Sequence, residues 1–137
     1  AATAIGAKAK IATVPGYLPL RQNEAFGRVM EQNAIALWGE GSTHRGVPTT
    51  GSTDIGDLSH LIPCIQPTFG GFSGALHSQQ FEITDKKLAY LDSARLLAMT
   101  AADLLFNGAA TANEICRSFH PVFTKQEYLD FLQAQWQ

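Results

Sequence analysis

Charge is scarce in this sequence. Asp, Glu, Lys and Arg make up 16% of its 137 residues, below the roughly one quarter usual in soluble domains. That shortage points to a surface partly covered by a partner or by further chain. The net charge of −2 leaves no lysine and arginine footprint, which argues against a nucleic-acid partner. No apolar run reaches the roughly 18 residues of a membrane span, so no membrane partner is expected either. Cysteine is limited to Cys64 and Cys116. One lies in an apolar run and the other on a helical pattern, so both read as buried free thiols in a cytoplasmic setting rather than as a disulfide scaffold.

Several stock motifs are missing as well. There is no G-x-x-x-x-G-K-[ST] to cradle a nucleotide phosphate and no G-x-G-x-x-G for a dinucleotide. Cysteines and histidines show neither C-x-x-C nor H-E-x-x-H spacing, so no complete metal site is encoded locally. An initiator methionine is also lacking from the opening AATAIGA, which suggests a processed or excised fragment.

What remains is one domain's length of chain with 45% hydrophobic residues. The chain is organised around GSTDIGDLSHLIPCIQPTFGGFSGALHSQQF, residues 51–81. Before it, residues 1–7 read as the end of a small-residue helix stopped at Gly6. KAKIATV, residues 8–14, reads as a strand with Ile11 and Val14 as its apolar positions, broken by Pro15-Gly16. Asn23 caps a helix from Glu24 to Trp38, with Phe26, Val29, Met30, Ala34 and Leu37 on its buried face. Residues 39–50 are a polar loop.

Within the central stretch, Asp57 to Ile62 suggests a short helical turn limited by Pro63. Thr68-Phe69 suggests a short strand emptying into the Gly70-Gly71 turn, where an open α/β sheet gathers its loops. Thr84 is expected to cap a long helix from Asp85 to about Phe106 that covers a sheet face, its apolar stripe running from Leu88 to Leu105. Asn107-Gly108 stops it. A further helix follows over residues 112–119, and Thr124 with Glu127 forms a capping box for a last helix, Lys125 to Gln135.

Four histidines are candidates for chemistry. His77 follows the glycine turn, which leaves its imidazole either free for a ligand or a proton, or satisfied in a structural role. His60 reads as structural, His44 as an exposed loop residue and His120 as a turn residue before Pro121. Gly71-Phe72-Ser73-Gly74-Ala75 approaches a nucleophile elbow but ends in alanine. A serine hydrolase using Ser73, His77 and Asp54 is thus one alternative. A non-catalytic α/β interaction module is another.

GSTDIGDLSHLIPCIQPTF followed by GALHSQQF and an Ala/Leu-rich helix resembles the C-terminal part of M20-type metallopeptidases and amidohydrolases, in the aminoacylase, aminobenzoyl-glutamate or dipeptidase branch. The resemblance covers about residues 1–107. It implies an α/β fold: a partial zinc-peptidase-like catalytic domain over residues 21–137, with a short mixed sheet flanked by helices. Residues 1–20 would be the last helix end and strand of a lid or dimerisation domain. His77 would be a metal ligand of a centre holding two divalent ions, zinc foremost. Asp54 would be a nearby carboxylate orienting a ligand or loop, and Gly70, Gly71, Ser73 and Gly74 would line the pocket for an amide or dipeptide-like substrate. The other metal ligands and the general-base glutamate of that family have no counterpart here. One imidazole cannot hold two zinc ions, so the resemblance implies a partner, either a missing N-terminal half or another copy in a homo-oligomer. The 137 residues alone are expected to be inactive.

Overall fold

The computed structural model describes residues 2–12, 14, 16–46 and 51–135. Thr13, Pro15 and residues 47–50, which belong to the expected strand, its breaker and the polar loop, lie outside them. The described residues form a small α/β domain in which helices flank a short two-stranded antiparallel sheet.

The chain begins with a single tight helical turn, Ala2–Ile5, closed by Gly6 at φ 73°. Residues 7–12 then run extended without pairing into any sheet. The strand expected over residues 8–14 is therefore not formed, as no neighbouring edge accepts it among the described residues. Helix α1, Glu24–Trp38, follows the reading of its sequence closely. Asn23 Oδ1 accepts the Phe26 N–H at 2.8 Å, and Gly39 at φ 88° ends the helix. Its buried residues are Met30, Asn33 and Ala34. The polar loop folds back on it, where Arg45 and Thr43 both bond Glu31 and the Arg45 hydrogen bond draws that carboxyl below its ordinary value.

Helix α2 is the short Asp54–Leu58. The expected strand at Thr68-Phe69 is not formed. Strands β1, Phe72–Ser73, and β2, Glu82–Ile83, instead pair antiparallel on the far side of the glycine turn, with Phe72 opposite Ile83 and Ser73 opposite Glu82. The reason is local. The Gly71 carbonyl accepts the N–H groups of Thr84 and Asp85 at 2.9 and 3.1 Å, which brings β2 alongside the residues after Gly71 rather than before it. Where a mixed sheet is expected, the described residues supply only this antiparallel pair.

The long helix is capped by Asp85, whose Oδ1 accepts the Leu88 N–H at 3.0 Å, and not by Thr84. It opens with one widened turn, Lys87–Asp92, before settling into α3, Ser93–Ser118. Non-helical backbone at Phe106–Ala109 divides α3 where Asn107-Gly108 predicts a stop, and Asn107, Gly108 and Ala109 are all left-handed. Helix α4, Lys125–Gln135, begins with the expected capping box: Glu127 N–H to Thr124 Oγ1 at 3.3 Å and Thr124 N–H to Glu127 Oε2 at 2.7 Å.

The core is where α1 crosses α3. Met30, Ala34 and Leu96 are buried there, with Leu37, Trp38, Ile65 and Phe69 packed around them. Beside it the buried Asn33 amide donates to Asp103 Oδ2 at 2.7 Å. Asp92 is also buried, bonded by Lys87 at 2.5 Å and by Trp38. A second cluster joins the C-terminal segment to the centre of the chain, with Phe123 against Phe131, Tyr128 and His60 at ring separations of 5.6, 6.4 and 6.2 Å. Both cysteines are free, but Cys116 is exposed and only Cys64 is shielded. Cys116 follows the buried Ile115 by one position and so turns off the packed face of the helix. Burial pushes the Cys64 thiol up. No helix among the described residues is long and apolar enough to cross a membrane.

Candidate functional site

Residues 56–60, Gly-Asp-Leu-Ser-His, tie the two ends of the chain to its middle. A Cβ at Gly56 would lie 2.0 Å from the Leu18 carbonyl oxygen, so only glycine lets the N-terminal segment pass. Asp57 Oδ1 accepts the Leu18 N–H at 2.7 Å, and the same side chain accepts the Tyr128 hydroxyl of α4. Burial first, and that bond to Asp57 second, push the Tyr128 hydroxyl above its ordinary value. Ser59, fully buried, accepts the Arg21 N–H at 2.9 Å and donates to the Gly56 carbonyl at 2.5 Å. His60 Nδ1 lies 2.9 Å from the same carbonyl, and the His60 carbonyl accepts the Val122 N–H at 2.8 Å. Most of the polar residues after Asp54 therefore have structural work, as expected for His60. Asp57 and Ser59 carry no motif that signals this role in the sequence; their i, i+2 placement after a buried glycine is the only trace.

Asp54 stands apart. It lies exposed in the first turn of α2, and no hydrogen bond or ion pair holds it among the described residues. Thr53, the residue before it, donates its hydroxyl to Gln66 Oε1 at 2.8 Å, which fixes the entry to the helix.

His77 occupies the turn between β1 and β2. It is exposed, its backbone is left-handed at φ 61°, and its ring has no hydrogen-bond partner among the described residues. A left-handed conformation at a residue other than glycine is uncommon and costs on the order of 1 kcal/mol or more. Ser78 holds the turn beside it, donating to the Ala75 carbonyl at 2.7 Å and accepting the Gln80 N–H at 3.3 Å.

The glycines proposed for the pocket each have a packing reason of their own. A Cβ at Gly74 would meet the Gln80 carbonyl oxygen at 2.2 Å, one at Gly71 the Asp85 carbonyl oxygen at 2.7 Å, and one at Gly70 the Leu88 side chain at 3.1 Å. Ser73 Oγ donates across the hairpin to Glu82 Oε1 at 3.3 Å. No hydrogen bond among the described residues links Ser73, His77 and Asp54 into a nucleophile, base and acid.

The described residues contain no group of three or more His, Cys, Asp or Glu side chains able to hold a metal ion. His77 is thus a single imidazole presented outward, and the described residues do not complete a metal site around it. Surface hollows lie elsewhere, one lined by Asn107, Gly108, Asn113 and Cys116, the other along α4. No protein-family model, curated protein or solved structure matches the chain.

Proposed function

We propose that these residues are the C-terminal share of an M20-type metal-dependent amidohydrolase or peptidase acting on an N-acyl amino acid or dipeptide-like amide. The fold would be that of a zinc-peptidase-like catalytic domain, with residues 1–20 leaving a lid domain. The observation that carries the reading is His77, an exposed imidazole with no hydrogen-bond partner among the described residues, held on a left-handed tip by a turn that bonds to itself. An imidazole presented this way suits ligation by its neutral ring nitrogen. The donor set of the described residues does not fit a metal pair by itself, since zinc takes three or more protein ligands. The remaining ligands, and the glutamate acting as general base, would come from polypeptide outside these residues. Asp54, likewise without a partner among the described residues, would orient a ligand or a loop, and residues 70–74 would border the substrate.

The test is metal content and hydrolysis of an N-acetyl amino acid by the full open reading frame that contains these residues. His77→Ala is expected to lose one of the two metal equivalents and at least about 100-fold in turnover, since loss of a mere supporting residue already costs up to that much. Unchanged metal content and turnover would refute the assignment. By itself the 137-residue chain is expected to give no metal-dependent hydrolysis.

One observation favours a second reading, a non-catalytic interaction module. The chain exposes 10422 Å², whereas a compact monomer of its mass exposes about 7,000 Å². A chain that forms a stable complex in which neither His77→Ala nor chelation has any effect would support that module instead.

A further inference from the structure

Residues 110–135 form an arm that joins the rest of the chain through one short link. Phe106–Ala109 breaks α3, and within it Asn107, Gly108 and Ala109 stand one after another in left-handed backbone, at φ 51°, 67° and 59°. L-residues enter that region singly, and glycine and asparagine do so at the least cost. Ala109 is neither. The first two positions suit the stop that Asn107-Gly108 encodes, and the third is strained. Alanine and leucine, the best helix formers, crowd both sides of the link, at Ala101, Ala102, Leu104 and Leu105 before it and at Ala110 and Ala112 after it.

Beyond the link the arm is fastened to residues 57–60. The Val122 N–H bonds the His60 carbonyl at 2.8 Å, the Phe123 ring lies 6.2 Å from that of His60, and the Tyr128 hydroxyl bonds Asp57. Ile115 is the one buried residue among the described residues of the arm, and α4 buries none. A patch this compact is met equally well by the same arm of another copy.

We propose that residues 110–135 exchange between two copies of this chain, each arm docking on residues 57–60 of the other, with Phe106–Ala109 as the hinge. In the exchanged form Ala109 leaves left-handed backbone and α3 runs on as one helix of 26 residues, about 39 Å long. Its new direction carries Phe123 and Tyr128 away from their own patch and toward that of a second copy. The arm makes the same bonds in both forms, so the balance between them is set by the link and by chain concentration. A short hinge under strain invites such exchange, which is a low-cost route to a dimer. Gly108 opposes the opening, as a poor helix former, and relief at Ala109 favours it. Leu105 and Phe106, exposed at 67% and 70% beside the hinge, are the side chains that two links crossing side by side would cover. The exchange does not rest on the hydrolase reading.

The experiment mixes two variants of the protein encoded by the full open reading frame. One, grown on heavy nitrogen, carries Asp57→Ala; the other, unlabelled, carries Tyr128→Phe. They are held together in urea near the unfolding midpoint, returned to buffer, and read by hydrogen exchange peptide by peptide. Neither variant can form the Asp57–Tyr128 bond within its own chain, but the arm of the heavy copy can form it on the body of the light one. The expected result is a second population of the heavy peptide over residues 119–124, exchanging at least about tenfold more slowly than in the Asp57→Ala protein alone. A single population, as fast as in that protein alone, overturns the exchange. Added to both copies, Gly108→Ala penalises the left-handed link while its methyl meets open space, so it should enlarge the slow population. Ala109→Gly should shrink it, and equal populations in the two overturn the hinge. Protection of α1 reports that each variant is folded; if Asp57→Ala lacks it, Asp57→Asn, of nearly unchanged size, takes its place.

Discussion

A methyl group at Gly56 would sit 2.0 Å from a backbone oxygen of Leu18, and backbone cannot step aside as a flexible side chain can. Gly56→Ala is therefore expected to lower stability by about 3 kcal/mol, the upper range for forcing volume into a packed site. The contrast is Gly27, inside α1 with nothing within 4 Å of its missing Cβ. Gly27→Ala should stabilise by about 0.5–1 kcal/mol through helix propensity alone. Urea midpoints of the two variants check both; equal shifts would show that Gly56 has no close neighbour in solution. Asp92 gives a prediction with a pH dependence. The hydrogen bond from Lys87 foremost, then its charge, Trp38 and Arg95 hold the carboxyl below its ordinary value despite burial. Its folded pKa lies below the unfolded one of about 3.9, so the stability it contributes is present above that pH and lost as pH falls through the folded value. Lys87→Met should thus be less stable than the parent at neutral pH and converge with it in acid. A difference in urea midpoint that persists unchanged into acid would refute this. At this scale the sequence makes some roles legible and hides others. Asn23 and the Thr124–Glu127 box announce themselves because a cap needs only neighbours along the chain. Asp57 and Ser59 do not, because their partners are Leu18, Arg21 and Tyr128, up to 71 residues away.

Helices and strands were legible in the same graded way. Periodicity and a cap define α1 to the residue, since its propensity, its N-terminal asparagine and its terminal glycine agree. In the long helix the cap shifts one residue: the Gly71 carbonyl holds the N–H groups of both Thr84 and Asp85, and the Asp85 carboxylate is the group that accepts the Leu88 N–H. The widened turn at Lys87–Asp92 has no signature in composition. Its Ser93 hydroxyl bonds the Leu88 carbonyl five residues back at 2.8 Å, a contact that appears only once the turn has opened. The misplaced strand has a similar cause: extended residues abound between 62 and 73, and the Gly71 carbonyl decides which of them meets a partner. For α4, which buries no residue, the cap is a large part of what holds the first turn. Thr124→Ala should cost about 1 kcal/mol, and because the Thr124 backbone N–H, then its hydroxyl, keeps the Glu127 carboxyl below its ordinary value, that carboxyl should move back up in part. Faster amide exchange confined to the first turn of α4, with α1 unaffected, is the expected pattern; exchange spread evenly over both helices would contradict it.

Across the whole molecule, helices beside a short sheet agree with the α/β class that the resemblance implied, but neither the position nor the size of the sheet was legible, since the strands expected at residues 8–14 and 68–69 are not those that pair. Strand partners are chosen by non-local pairing, and the described residues offer each two-residue strand one partner only. The same limit applies to the candidate site: a resemblance singles out Asp54 and His77, while the described residues hold no group of three or more His, Cys, Asp or Glu side chains able to bind a metal ion. What the molecule does possess is a mechanical centre. Asp57 receives the Leu18 N–H and the Tyr128 hydroxyl at one carboxylate, so the N-terminal segment and α4 are held by the same group. If residues 1–20 lead from a lid, this carboxylate fixes the direction in which the chain arrives. Hydrogen bonds to a charged group contribute about 1.5–3 kcal/mol, and Asp57→Ala removes two at once. Its expected effect is to loosen both ends together: faster exchange at the Leu18 amide, and faster proteolysis in residues 119–124, where Val122 otherwise bonds the His60 carbonyl. Tyr128→Phe removes one bond and should loosen only the C-terminal side. Were Tyr128→Phe to release Leu18 as well, or Asp57→Ala to leave the C-terminal segment protected, the two ends would not share this anchor.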